Sequence, residues 1–523
     1  MGKPTYNRVI TSGEDLNKKI EQAINKMLKI ALTAYGVQSG NVMIENRADP
    51  PTISHDGVTN IGVLEVNDPI EDMTIATIKQ AAERTNKTAG DGTTLTTILS
   101  CSLYYWAKGL MDSGEYTPFE VSKIINKNML DILKEIDNTQ VKTGISDKEL
   151  LGACIVSAGD EGLGNLVYDV MSQVGAFGGV NIVYTGNIGT STEITNGLYI
   201  PKGMTSEKLF NNKSEKKTSM SDSKAGVPVV ILGNTITKKD ELADICDKVR
   251  TMNFNQVLFI GDINGDALSY LELVSGRNLL DVAVVRPPAD SFQTFLEDIA
   301  LYTDGKVYTG ITSEWTVDSM GKAETVNITS REATIVGGKG EGSKDIKSKV
   351  KELKEKASKA APGPERISTE ARIARLTAKV ANIYVGGTGA AERGEIKLRV
   401  EDAVCAAKSA IVSGVVPGGG VCLRDVSHNL DKRGFNHIRV SNEEKRDFSY
   451  LLKPYQYLTN DDATRAAGFG IDIINGKEVD MVKSFIVDPA IVIKEAVRNS
   501  HSIVSKLITT KLALTFEDRT WSF

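Results

Sequence analysis

Residues 89–99 read Ala-Gly-Asp-Gly-Thr-Thr-Leu-Thr-Thr-Ile-Leu, a Gly-Asp-Gly turn running into a hydroxyl-rich and then apolar segment. Gly90 and Gly92 let backbone N–H groups approach an anion closely, Thr93, Thr94 and Thr96 add hydroxyl donors, and a helix start favours negative charge. This chemistry suits a phosphate. Asp91 alone would repel a polyphosphate; it fits if Mg²⁺ lies between, because Mg²⁺ takes one or two carboxylates together with phosphate oxygens. Taken by itself the tripeptide also reads as a solvated turn followed by a threonine cap, since turns and caps prefer the same residue types.

Further acids stand elsewhere in the chain. Ser54-His55-Asp56-Gly57-Val58 puts one in a turn, Arg399-Val400-Glu401-Asp402-Ala403 one on a helix, and Ile486-Val487-Asp488-Pro489 one before a helix. The stretch from Gly414 to Val421, with Gly418, Gly419 and Gly420, can bend close to a ligand. Singly, each has a plainer reading: Asp402 lies off the apolar stripe of its helix and reads as a solvated acid, and Asp488-Pro489 as a helix-start turn. Gly337 to Lys344 mimics a P-loop with its last two residues reversed, and Gly387-Thr388-Gly389 a dinucleotide fingerprint without its third glycine; neither has the surroundings such motifs need.

The elements that must position these residues follow from periodicity. Leu16, Ile20, Ala23, Ile24, Met27, Leu28, Ala31 and Leu32 recur at helical spacing behind Ser12, which with Asp15 suggests a capped amphipathic helix over 12–34. A short strand pair at 41–44 and 52–53 follows, then helices over 70–84, 94–108 and 119–137. From about 179 strands alternate with helices: strands at 180–183, 227–232, 257–260 and 282–285, helices at 239–252 and 266–276, which predicts an α/β domain. Polar residues 211–226 read as a surface excursion and 343–360 as a solvated Lys/Glu helix. A strand at 382–385, helices at 396–413, 441–452 and 490–506 and a β tail at 511–516 close the chain. Helical ends thus flank an inserted α/β centre.

At 523 residues the chain exceeds one core, and roughly 100–200 residues per domain suggests about three domains. Hydrophobic residues at 41% and charged ones at 25% describe a soluble globular protein. The formal charge is only -5, with basic and acidic residues interspersed and aromatics at 6%, so nothing calls for nucleic acid. No run approaches the ~18 apolar residues of a membrane span, and the start lacks a signal core. Cys101, Cys154, Cys246, Cys405 and Cys422 form no CxxC pair, which fits a reducing, cytoplasmic setting rather than zinc or disulfides.

Together the Gly-Asp-Gly turn, the Asp56 turn, the Asp402 helix, the Gly418–Gly420 bend and Asp488 resemble the group I chaperonins, the GroEL-type ATP-driven folding machines, in order along nearly the whole chain. The resemblance implies a helical equatorial ATPase domain (1–137 and 409–523), an intermediate hinge domain (138–196 and 380–408) and an inserted α/β apical domain (197–379) that grips non-native polypeptide. Carried over by position, it puts Gly90, Asp91, Gly92, Thr93, Thr94 and Leu95 on the phosphate loop, with Asp91 the Mg²⁺ ligand. Asp402 falls on the acid that arms the attacking water, and Asp56 on a second acid near the γ-phosphate. Thr33, Tyr35, Gly36 and Val37 fall on a first phosphate loop, His55 beside the phosphates and a K⁺ site, and Gly419, Gly470 and Asp488 on the nucleoside pocket. Met204, Ser206, Leu209, Phe210, Leu242, Cys246, Leu268 and Leu273 fall on the polypeptide groove. The resemblance further implies ATP as cofactor, a homo-oligomeric ring and docking of a lid co-chaperonin. An acid on a hinge domain would gate hydrolysis by domain movement.

This chain departs from the family at informative places. The Thr33–Asn41 loop lacks the family's basic pair, Gly468 to Asp472 replaces its adenine segment, and Ala378-Lys379 replaces paired hinge glycines while Gly197 is kept. In the groove, Glu207 and Lys208 replace proline and tyrosine, and Glu272 stands among apolar positions, where an unpaired carboxylate would weaken apolar grip. Such divergence resembles the chaperonins of large bacteriophages. The leading expectation is an ATP-dependent folding ring; the competing ones are an ATP-regulated holdase of the same fold and, more remotely, an unrelated Mg-ATP phosphotransferase.

Overall fold

The computed structural model describes residues 8–36, 39–45, 51–54, 57–176, 178–222, 225–310, 315–359, 364–377, 379–432, 447–461 and 464–516. Two compact units divide the chain, Met1–Met171 with Gly387–Phe523, and Ser172–Gly386. The predicted plan of helical ends around an inserted α/β centre is present.

The first unit begins with β1 (Arg8–Ser12), α1 (Gly13–Thr33), β2 (Val42–Ile44), β3 (Thr52–Ser54) and α2 (Gly57–Gly62). It continues through α3 (Pro69–Ala89), α4 (Thr93–Asp112), α5 (Pro118–Thr139), α6 (Asp147–Ala158) and α7 (Glu161–Val174). In α1 the predicted stripe is buried at Leu16, Ile20, Ala23, Ile24, Met27 and Ala31. Ser12 does stand at its cap with extended backbone, but its side chain makes no capping hydrogen bond, contrary to the sequence reading. The start of α3 is better fixed: Asp68 accepts from the Ile70 and Glu71 N–H groups at 2.9 and 3.1 Å, and Pro69 presets the first turn.

The second unit holds β4 (Gly179–Tyr184), β5 (Ser191–Ile200), β6 (Thr218–Ser221), β7 (Val227–Leu232), α8 (Asp240–Thr251), β8 (Gln256–Ile260), α9 (Gly265–Gly276) and β9 (Asp281–Val285). Next come α10 (Phe292–Thr303), β10 (Val307–Tyr308), β11 (Gly321–Ala323), β12 (Thr325–Ile328), β13 (Ala333–Val336), α11 (Lys344–Lys359), α12 (Pro364–Thr377) and β14 (Lys379–Val385). Strands β7, β8 and β9 are parallel, joined through α8 and α9, as the alternating pattern predicts. β4 does not join them; it lies at the edge of a second sheet ordered β4-β14-β5-β13-β12-β6. The expected polar excursion at 211–226 contains β6, whose Met220 is fully buried in that sheet. Gly197 marks a change of partner: β5 pairs with β14 up to Asn196 and with β13 from Gly197 onward.

The chain then returns to the first unit as α13 (Ala390–Ser413), β15 (Val415–Pro417), α14 (Val421–Lys432), α15 (Lys453–Thr459), β16 (Phe469–Asp472), β17 (Lys477–Asp480), β18 (Val487–Pro489), α16 (Ala490–Leu507) and β19 (Leu512–Phe516). Of the helix expected at 441–452, residues 441–446 lie outside the described residues, and Ser449–Leu452 is a 3₁₀ turn feeding α15. The core of this unit gathers Ile24 of α1, Ile78 of α3, Ile98 and Leu99 of α4, Ile125 of α5 and Val497 of α16, all fully buried. α3, α4 and α16 therefore form the rigid base from which the Gly-Asp-Gly turn projects.

Candidate functional site

Gly90 ends α3 and Gly92 precedes α4, both in the left-handed backbone region at φ +78° and +93°. The space is as restrictive as the torsion: a Cβ on Gly92 would come within 2.8 Å of Val492 Cγ1 on α16. The Asp91 carboxylate accepts a hydrogen bond from the Gly92 N–H. Thr93 and Leu95 turn inward and are buried, while Thr94 is half-buried and stands against Gly57 at the start of α2. Below the turn, Thr96 donates to the Gly92 carbonyl at 2.8 Å and meets the Thr85 hydroxyl at 2.9 Å; Asn499 Nδ2 of α16 donates to the same Thr85 hydroxyl at 3.0 Å. This buried network satisfies its hydroxyls and fixes the turn to three helices.

Asp488 arrives by another route. β18 pairs antiparallel with β15, Val416 opposite Asp488, and the Gly418 N–H donates to the Ile486 carbonyl at 2.9 Å, so Asp488 and the Gly418–Gly420 bend are held side by side. Burial, and then the negative charge of Asp91, push the Asp488 carboxyl up to about 7. Burial, followed by the charge of Asp488, raises the Tyr35 phenol; the Cys422 thiol is raised by burial and then by Asp488 and Asp425. Tyr35, Asp91 and Asp488, from three distant stretches of sequence, therefore share one electrostatic environment. Gly419 (φ +61°) lies 3.0 Å, from its Cβ position, from Met481 Cε, and a Cβ on Gly470 would meet Met481 Sδ at 2.9 Å, so these two glycines flank Met481. In the Thr33–Asn41 loop, the Gly40 N–H donates to the Thr33 carbonyl at 2.8 Å, the Ser39 N–H to the Gly36 carbonyl at 3.1 Å, and Gly36 abuts Leu458. Val37, His55 and Asp56 lie outside the described residues.

Helix α13 rests on the turn. A Cβ on Gly90 would come within 2.5 Å of Cys405 Cβ, and the Ser409 hydroxyl donates to the Ala89 carbonyl at 2.9 Å. Asp402 is half-buried one turn before Cys405, on the same side of the helix. Among the described residues no three His, Cys, Asp or Glu side chains gather into a metal cage. None of the described helices is long and apolar enough to cross a membrane.

Residues 27–446 match the TCP-1/cpn60 chaperonin family. The chain belongs to this family. The chaperonin gp146 of bacteriophage EL 2 (Pseudomonas aeruginosa), crystallised in presence of ATP-BeFx, has the same fold: in crystal form II the TM-score is 0.78 at 18% identity, covering 99% of this chain and all (100%) of that one. In crystal form I the TM-score is 0.67 at 19% identity, with 97% and 99% covered.

In the second unit of this chaperonin the groove expectations need correction. Leu209, Phe210, Leu242 and Cys246 are not at the surface; all are at 0–3% exposure, and Leu209, Leu242 and Cys246 fill the core between α8, α9 and the β7–β9 sheet, where apolar side chains gain most. Met204 and Leu268 are half-buried and Leu273 is 50% exposed. Glu272 is not an unpaired carboxylate: Ser206 donates to its Oε1 at 2.6 Å and Lys208 to its Oε2 at 2.8 Å. Partial burial alone would raise its carboxyl, but these two donors hold it below the usual range. Lys208 and Glu272 thus compensate one another. Ala378 lies outside the described residues.

Sequence reasoning missed Arg424 and Asp425. Arg424 is 0% exposed; its Nε and Nη2 donate to Asp425 Oδ1 at 2.9 and 2.6 Å. The signal was present as an adjacent Arg-Asp pair inside the apolar run Val421-Cys422-Leu423-Arg424-Asp425-Val426, where charges persist only if paired.

Proposed function

We propose that this chaperonin binds Mg-ATP between the Gly90–Thr94 turn, the Gly418–Gly420 bend and Asp488, and couples its hydrolysis to the capture and folding of non-native polypeptide in a ring of identical subunits. The observation that carries this reading is the convergence of Asp91, Asp488 and Tyr35 beside two glycine turns, with α13 resting on one of them. The EL chaperonin structure obtained in presence of ATP-BeFx supports the same ligand class here. The division into equatorial (1–137, 409–523), intermediate (138–196, 380–408) and apical (197–379) domains belongs to this proposal.

In this reading the phosphates meet the amides at the start of α4, and the nucleoside lies along Gly419, Gly470 and Asp488. Asp91 would hold Mg²⁺, with Asp488 facing the same space. The donors are hard carboxylate oxygens, and a cation beside them would favour the ionised form of Asp488, whose carboxyl is raised by burial and then by the charge of Asp91. When bound, the ion neutralises phosphate charge. Asp402 accepts a proton from water as the water oxygen bonds to the γ-phosphorus; the bond to the bridging oxygen breaks and its electron pair leaves with ADP. Replacing Asp402 by Ala should lower kcat by ~10²-fold or more while ATP affinity stays within about threefold. Steady-state hydrolysis and equilibrium binding measure the two, and an unchanged kcat would remove Asp402 from this role.

The Ser206–Glu272–Lys208 cluster favours a second reading, an ATP-regulated holdase, because it replaces apolar groove surface with fixed polar groups. Refolding yields of a denatured model protein with and without ATP separate the two: ATP-dependent recovery supports a foldase, capture without recovery a holdase.

A further inference from the structure

Arg424 makes more bonds than an ion pair with Asp425 needs. Its Nη1 donates to the Phe469 carbonyl at 2.7 Å and its Nη2 to the Ala466 carbonyl at 3.1 Å. Asp425 Oδ2 in turn accepts from the Gly468 N–H at 2.7 Å. The guanidinium lies 4.9 Å from the centre of the fully buried Tyr455 ring. The Tyr455 hydroxyl donates to Asp461 at 3.1 Å, and Asp461 pairs with Arg465, which also binds Glu478 on β17. One planar fork therefore binds three backbone groups' worth of chain, directly and through Asp425, at the entry to the β16–β17 hairpin.

The hairpin is also held by Val479 of β17, packed against Val421, Tyr455 and Met481, and by the Glu478–Arg465 pair. Its exposed end carries Ile474 at 73% exposure, while at its base a Cβ on Gly470 would come within 2.6 Å of Val421 Cγ2, so the hairpin approaches α14 closely right after the anchored stretch 466–469. Met481, just after β17, is held by its N–H donating to the Gly468 carbonyl at 2.9 Å, and it is Met481 that touches the Gly419 position. The line of support runs from Arg424 and Asp425 to Gly468, from Gly468 to Met481, and from Met481 to Gly419. We propose that the buried Arg424–Asp425 pair is a positioning pair that sets the β16–β17 hairpin against the Gly418–Gly420 bend and thereby determines affinity for the nucleoside end of ATP. The inference rests on the nucleotide reading of this pocket. It assigns the pair no role at the phosphate end, since none of its bonds reaches the Gly90–Thr94 turn.

Arg424→Lys keeps the charge but loses the planar fork, and Asp425→Asn keeps an oxygen acceptor for Gly468. With Mg-ATP as probe, Arg424→Lys should weaken binding about tenfold or more and Asp425→Asn less, kcat at saturation staying within about twofold. Competition by Mg-tripolyphosphate, which has no nucleoside, should be unchanged, whereas a general loss of structure would weaken both probes. Amide exchange at Gly468 should quicken in both variants. Should Arg424→Lys fail to fold, Asp425→Asn carries the same comparison. Unaltered ATP affinity in folded variants, or equal weakening of ATP and tripolyphosphate, overturns the positioning role alone. Failure of the unmodified protein to bind either probe overturns the nucleotide reading and this inference with it.

Discussion

Asp488 carries an electrostatic cost that a bound cation would relieve. Its carboxyl, lifted to about 7 by burial and by Asp91, starts from 3.8 in the unfolded chain, so between these values the folded protein holds the extra proton. The stabilising contribution is complete below about pH 4 and is lost as pH rises through 7. Asp488→Asn, which cannot ionise, should exceed the unmodified protein in thermal midpoint by the least near pH 4 and by about 2 °C or more at pH 8. A difference that does not grow with pH would show that Asp488 is not held near neutrality. The residue was visible in the sequence as an acid before a proline; its raised carboxyl was not, because it arises from burial and then from Asp91, almost four hundred positions away in the chain.

At the scale of elements the decisive contact is α13 against the Gly-Asp-Gly turn. Gly90→Ala adds a methyl group within 2.5 Å of Cys405 Cβ and forces an L residue to φ +78°, a strain of roughly 1–2 kcal/mol before the clash is counted. ATP hydrolysis should fall about tenfold or more, and Cys405→Gly in the same chain should recover part of it. If the double variant is no better than Gly90→Ala alone, the contact is not what limits activity. The periodicity of α3 and α13 was readable because each buries one stripe, whereas α4, buried all round from Leu95 to Tyr104, was readable from its length and apolar character. Their mutual approach was not, since a missing side chain in a sequence says that the backbone turns, not which helix fills the space. The same limit explains the groove: Leu242 and Cys246 have a stripe's spacing whether the stripe faces solvent or β7–β9.

For the whole molecule, β1 and β19 pair antiparallel with Ile10 opposite Leu514, and that face leaves Ile10 64% and Leu514 46% exposed beside Leu512 and Phe516. A two-stranded sheet with open edges and an apolar face is a template for another copy of the chain. If the proposed ring uses this sheet, the double substitution Ile10→Lys, Leu514→Lys should shift the protein toward monomer by native mass measurement, with the fold of the subunit kept. A ring of unchanged stability would place the interface elsewhere. The sequence by itself determined the helical ends, the inserted βαβ centre and the residues fit to meet a polyphosphate, because burial imposes period on local segments and turns demand particular residue types. Only the tertiary structure decided that Asp91, Tyr35 and Asp488 share one field, that Lys208 neutralises Glu272, and that Arg424 is spent inside the fold. Those outcomes depend on pairings between residues far apart in the chain, for which a single sequence carries no local signal.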